Sequence, residues 1–357
     1  ALPGTTPADK ESRPSPPNHF IATPRTSVER AKDAVSRVLT IILALLALLG
    51  GVAAHADESA EQDELFIWVE TMQLQERWPV ALDLCNTILS RDSQCARAYC
   101  ERGMVFLSQE RYREADQEFT VAVAIDAKLA RAYVGRARAR MSLDREDDAA
   151  ADADRAVVLC GEALRADEGD ADAYFHRGLA RRVIGEEADA SWDLTRALEV
   201  RPDFAQARME RAHIYRRQGK LLLAIEHCTQ AIEARPDYLG AWLTRARAYY
   251  QAEEYDSAVA DCTSAMAVNP RYARAVFNRG LVRVKMGELS EAVADFTLAI
   301  ELREDYVDAW FYRGDTRMAL GELEGARGDW ERARDLDPEG WAGLLAAQRL
   351  ADTPPAD

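Results

Sequence analysis

The side chains able to do chemistry are few and scattered. Five histidines and six cysteines occur in 357 residues. His176, His213 and His227 lie at unrelated positions and lack metal-site spacing such as H-E-x-x-H, so they read as surface or groove side chains. Cys85, Cys228 and Cys262 share one recurring apolar position and read as small buried hydrophobes. Cys95 and Cys100 are near neighbours, and whether they pair in an oxidising compartment stays open. The cluster Asp147, Asp148, Asp152 and Asp154 lacks the glycine and glutamate positions of a calcium loop. No dinucleotide fingerprint, Walker loop or G-x-S-x-G elbow is present. The expectation is a non-enzyme with no catalytic residue, no metal and no cofactor.

The chemistry that does recur is ionic. Arginine stands at Arg102, Arg136, Arg177, Arg211, Arg245, Arg279 and Arg313. Sixteen residues after each come Glu118, Asp152, Asp193, His227, Asp261, Asp295 and Asp329. The first copy has Trp68 and Leu84 there and so lacks both charges together. This joint gain and loss predicts structural pairs Arg102–Glu118, Arg136–Asp152, Arg177–Asp193, Arg245–Asp261, Arg279–Asp295 and Arg313–Asp329. Arg211 faces His227 instead, and no strong pair is expected there.

The elements that must hold those pairs follow from a 34-residue period. Eight units run 62–95, 96–129, 130–170, 171–204, 205–238, 239–272, 273–306 and 307–340. Position 20 of the unit is alanine in all eight, from Ala81 to Ala326, and position 8 is Gly or Ala in seven. Small residues at both places let two antiparallel helices approach closely. Positions 4, 8 and 11 mark one helix face, and positions 20, 24 and 27 mark another. Gly185, Gly219, Gly287 and Gly321 occupy the turn between them, and Pro202, Pro236, Pro270 and Pro338 end the second helix. The third unit carries seven extra residues near Leu159–Asp170, enough for about 10 Å more helix. An amphipathic helix at 341–351, bearing Trp341, Leu344, Leu345 and Leu350, is placed to cover the open end of the stack, and 352–357 is a tail.

The pattern resembles the tetratricopeptide-repeat (TPR) family over residues 62–340. The resemblance implies an all-α, right-handed α-α superhelix, a TPR solenoid with a C-terminal capping helix. It places ligand contacts on the first helix of each unit, at positions 2, 5, 6, 9, 12 and 13. The corresponding peptide-binding candidates are Arg138, Phe175, Leu179, Arg182, Met209, His213, Arg216, Leu243, Arg247, Tyr250, Phe277 and Phe311. Such a groove is apolar along its middle and basic along its side, and suits an extended peptide with hydrophobic anchors and some acidic character. Anchors and inter-repeat core share a composition, so the apolar line also reads as packing. The family's chaperone-binding carboxylate clamp is absent: Asn278 stands alone, with Leu243 and Arg247 before it and Asp308 and Tyr312 after it.

With 45 Lys and Arg against 61 Asp and Glu, the net charge of −16 argues against nucleic acid as a partner of the whole surface. Residues 1–37 form a disordered Pro-rich and basic N-region by composition. Residues 38–56 then read as a signal-peptide core ending Ala54-His55-Ala56, with cleavage after Ala56 and an exported array, periplasmic or secreted. The same segment reads alternatively as a membrane anchor with the array outside the cytoplasm. The expected function is a non-catalytic interaction scaffold. The alternative is an accessory subunit of an envelope enzyme or secretion complex, docked through the convex face, the edges or the third-unit insertion.

Overall fold

The structure is a computed structural model that describes residues 56–353. The N-region 1–37 and the stretch 38–55, with the leader, signal-peptide and anchor expectations attached to them, lie outside the described residues, as do 354–357. From Gln62 onward the chain forms one compact unit. Among the described residues, no helix is long and apolar enough to cross a membrane.

Seventeen helices follow one another with no strand among the described residues. They pair as hairpins: α1 Ala56–Leu74 with α2 Trp78–Arg91, α3 Ala96–Ser108 with α4 Tyr112–Ile125, α5 Ala130–Met141 with α6 Glu146–Ala166, and α7 Ala171–Val183 with α8 Glu187–Val200. The series continues with α9 Ala205–Arg217 and α10 Leu221–Ala234, α11 Leu239–Gln251 and α12 Tyr255–Val268, α13 Ala273–Met286 and α14 Leu289–Leu302, and α15 Val307–Ala319 and α16 Leu323–Leu336. Helix α17, Trp341–Asp352, buries Ala342 and Ala346 against Phe311 and Trp330 and closes the C-terminal end. The seven extra residues of the third unit lengthen α6 to 21 residues, where α2, α4 and α8 have 14.

One turn motif makes all eight hairpins. Position 15 adopts positive φ in every unit: Gly185, Gly219, Gly287 and Gly321 in four, and Glu76, Glu110, Asp144 and Glu253 in the others. The next residue donates its backbone N–H to the carbonyl five residues back, from Arg77→Met72 to Glu322→Arg317, at 2.8–2.9 Å throughout. This closes the first helix and launches the second without a side-chain cap.

Helix contact within each hairpin is matched by size. A Cβ on Gly280 would lie 2.8 Å from Phe296, and one on Gly314 would lie 2.6 Å from Trp330. Gly103 likewise faces Phe119, and Gly178 faces Leu194. Where position 24 is instead Ala153, Cys228 or Cys262, position 8 is Ala137, Ala212 or Ala246. A large side chain at position 24 is thus met by glycine at position 8 and a small one by alanine, as close packing demands.

The recurrent arginines and acids meet in a buried network. Arg102–Glu118, Arg136–Asp152, Arg177–Asp193, Arg245–Asp261, Arg279–Asp295 and Arg313–Asp329 each make two-pronged contacts with N···O of 2.6–3.3 Å. Two features go beyond the expected pair within one unit. Where position 11 is arginine, that second guanidinium binds the same aspartate at 2.8 Å, as Arg140, Arg181, Arg283 and Arg317 do. Except at Arg177, which has Gly161 sixteen residues before it, the first arginine also reaches the preceding unit, as in Arg245→Thr229 at 2.9 Å and Arg313→Thr297 at 3.1 Å. Each full knot therefore joins three helices. In the fifth unit Arg211 donates to the Tyr215 hydroxyl, His227 stacks on Tyr215 with centroids 5.3 Å apart, and His227 Nδ1 is buried without a partner.

The first hairpin also touches units far along the chain. Gln206 donates to Glu70 at 2.8 Å, the Asn269 amide donates to the Gln75 carbonyl at 3.0 Å, and Arg77 donates to the Val268 carbonyl at 3.4 Å. Gln75 in turn donates to Asp237 at 3.4 Å. The α1–α2 turn thus sits on the turns α10–α11 and α12–α13, and the superhelix closes on itself.

Candidate binding surface

The inner surface is built by the first helices of the hairpins, and the structure divides the expected peptide-binding residues into two sets. The apolar set is buried. Leu179, Met209, Leu243, Phe277 and Phe311 are 8%, 2%, 8%, 6% and 3% exposed. The cause is a neighbour that the period also supplies: the residue just before the next unit's first helix is aromatic in four units. Tyr306 lies 4.9 Å from Phe277 by ring centroids, Phe204 lies 4.8 Å from half-buried Phe175, and Tyr238 and Tyr272 share clusters with Met209 and Leu243. Trp341 of the capping helix seals Phe311 at 5.7 Å, and Leu179 packs with Val134 and Ala153. These side chains are inter-repeat core. As anchors for a ligand they are a misreading of packing, with the exception of Phe175, which stays half-buried.

The polar set is accessible and forms one basic track across α5, α7, α9 and α11. Arg138 and Arg247 are exposed, and Arg182, His213, Arg216 and Tyr250 are half-buried. Among the described residues, Arg138, Arg216 and Arg247 have no side-chain hydrogen-bond or ion-pair partner, while Arg182 pairs with Glu210 and Arg217 with Glu187 at 2.7 Å. Mutual repulsion marks them as neighbours. Desolvation, then Arg217 and Arg138, lowers the Arg182 pKa. Desolvation, then Arg274 and Arg216, lowers that of Arg247, and desolvation lowers that of Arg138. His213 is pushed down to about 4 by burial and by Arg182, Arg216, Arg247 and Arg217, so its ring is neutral at pH 7. Side chains that reach water yet lose solvation belong to a concave wall. Such a wall is set up to gain from an incoming negative charge.

The remaining chemistry-bearing residues stay separate from this track. All six cysteines are free, including Cys95 and Cys100, and burial pushes the Cys85, Cys100, Cys228 and Cys262 thiols up to about 12. No group of His, Cys, Asp and Glu among the described residues is arranged to hold a metal. Sequence reasoning missed Arg140, Arg181, Arg283 and Arg317. Their signal was an arginine four residues after the first in four of the units, one helical turn along the same face.

Helical hairpins sharing one turn motif and one inner wall define an α-helical repeat solenoid. Tetratricopeptide-repeat descriptions match residues 96–129, 188–238, 245–311 and 307–339, and the chain is a tetratricopeptide-repeat protein. No curated protein matches it by sequence. Among solved structures it is similar to the APC/C hetero-tetramer Cut9–Hcn1, at 12% identity and a TM-score of 0.59 over 87% of this chain. It spans 58% of the length of that chain. It is also similar to PilW, a type IV pilus biogenesis factor, at 16% identity and a TM-score of 0.50, covering 61% of this chain and 98% of PilW. YrrB, a TPR protein with an unusual peptide-binding site, matches at 21% identity and a TM-score of 0.45, covering 53% of this chain and 97% of YrrB. At these identities the likeness is one of fold.

Proposed function

We propose that the protein is a non-catalytic scaffold whose concave wall binds an acidic segment of a partner protein. The observation that carries this reading is that, among the described residues, Arg138, Arg216 and Arg247 have no carboxylate partner on one wall of a chain with net charge −16. Elsewhere the inward-facing arginines meet carboxylates, so an uncompensated track is the place where a ligand's charge is worth most. With the apolar line committed to the core, orientation and affinity rest on the guanidinium groups together with Phe175, Tyr250 and neutral His213. Peptides selected by phage display against the full chain should be enriched in Asp and Glu. Arg216→Glu with Arg247→Glu should weaken the selected peptides at least tenfold while circular dichroism stays unchanged. Equal affinity for both chains would sink this reading.

A second reading is an accessory subunit that docks through the third-unit insertion. It is favoured by a cleft of about 600 Å³ between the extended end of α6 and α8, lined by Leu164, Arg165, Tyr174, Trp192 and Arg196, with Trp192 53% exposed. The basic residues, apolar core and A-x-A ending of residues 30–56 support export or membrane anchoring in either case.

A further inference from the structure

The end of α1 and the α1–α2 turn present acidic and amide side chains to the turns α10–α11 and α12–α13 and to the start of α9. Glu70 lies 2.8 Å from Gln206 and 3.8 Å from Arg235. Burial raises the pKa of Glu76, and neighbouring Tyr272 and Arg274 oppose the rise. Gln75 is held from both sides, its carbonyl by Asn269 and its amide against Asp237. The contacts join residues 136–194 apart in sequence. Three properties distinguish this closure from ordinary solenoid packing. The groups are polar, from buried Asn269 to exposed Arg274, where neighbouring repeats meet largely through apolar cores. The charges are complementary, Glu70 and Glu76 on the arriving hairpin and Arg235 and Arg274 on the receiving units. The receiving turns belong to the same units whose first helices carry Arg216 and Arg247.

We propose that the first hairpin is an intramolecular occupant of a surface next to the basic wall, at the turns α10–α11 and α12–α13. The partner it stands in for is a helix end with the turn that follows it, bearing carboxylates six residues apart, which binds by displacing the α1–α2 turn. This deepens the acidic-segment reading and rests on it. The occupant shows what the surface accepts: a carboxylate between an amide and a guanidinium, and a second against a tyrosine hydroxyl. Intramolecular tethering gives the turn an effective concentration a free ligand must exceed, so closure sets a threshold for capture.

The test uses the full chain and a fluorescein-labelled peptide copying residues 62–77. Glu70→Lys with Glu76→Lys places cations against Arg235 and Arg274 and should release the turn. The peptide is expected to bind this variant at least tenfold more tightly than the wild type, and a peptide carrying the same two lysines is expected not to bind. Failure of the native-sequence peptide to bind a variant of unchanged helicity overturns the proposal. If the variant fails to fold, Asn269→Ala serves from the receiving side. Amide exchange across residues 73–77 should then accelerate at least tenfold, and unchanged exchange overturns the closure as a releasable contact. The phage-selected acidic peptides separate the two readings. Tighter binding to the opened chain supports displacement. Equal binding to open and closed chains overturns displacement while leaving the acidic wall standing. Binding of the 62–77 peptide without any selected acidic peptide removes the acidic wall as a general site and confines the surface to its own hairpin.

Discussion

The fifth and seventh hairpins have the same backbone and different interiors. In the seventh, Asp295 is 3% exposed and receives Arg279 and Arg283, Arg279 also reaches Thr263 of the unit before, and Phe296 fills the space above Gly280. In the fifth, the acid is His227, the second arginine is Tyr215, and Cys228 sits opposite Ala212. Both make the same turn, with Gly219 at φ 70° and Gly287 at φ 79°. The fold therefore does not depend on the ionic knot. What the knot adds is register, because a guanidinium bound by two units resists sliding of one helix pair on the next, whereas an apolar contact tolerates it.

The sharpest way to break the comparison is Asp295→Ala. It strands Arg279 and Arg283 at a largely buried crossing and should cost about 3–5 kcal/mol, read as a shift in urea midpoint. His227→Ala removes no charge partner and should cost far less. Equal losses would show that burial alone, and not pairing, matters at this position. Gly280→Ala comes next, with an expected cost of about 1–3 kcal/mol from overpacking against Phe296. Phe296→Cys in the same chain, copying the pairing of Ala212 with Cys228, should recover part of it. A double variant no better than the sum of its singles would refute size matching as the rule.

The smallest change, His227→Asp, should raise stability at pH 7 by about 1 kcal/mol, since it gives Arg211 a carboxylate. It should also flatten the acid limb. Burial, with Arg211 and Arg208, holds the folded-state pKa of His227 down at about 4, against 6.5 in an open chain. The unfolded chain therefore takes the proton first as pH falls, so stability present at pH 7 is lost between about pH 7 and pH 4 and levels off below. Melting curves of wild type and variant across that range measure the difference. Parallel pH dependence in the two would remove His227 as its source.

The hairpins were legible in sequence because alanine at position 20, small residues at position 8 and glycine in four turns each answer a steric demand that recurs every unit. The ionic pairs were legible for a different reason, the joint absence of both charges at Trp68 and Leu84. The concave surface was only half legible. Phe277 and Phe311 carry the composition of anchors, and only the tyrosine and tryptophan packed on them reveal that the space is taken. Glu76, Glu110, Asp144 and Glu253 in positive φ gave no signal, since the constraint comes from the turn and not from the residue type. The closure through Glu70, Gln75 and Asn269 was invisible because it is the accumulated result of many small inter-repeat rotations, and no local spacing encodes their sum.

A linear stack of repeats frays from its ends, since a terminal hairpin has one neighbour where an internal hairpin has two. Here the first hairpin has a second neighbour, supplied by units five to seven. The loop-closure entropy of so long a span grows only logarithmically with its length, and intervening repeats that are already ordered reduce it further. The array thus has one loose end instead of two. Unzipping should start at α17 and run inward, and a weakness introduced near Asp237 or Asn269 should be felt at the opposite terminus before it is felt next door.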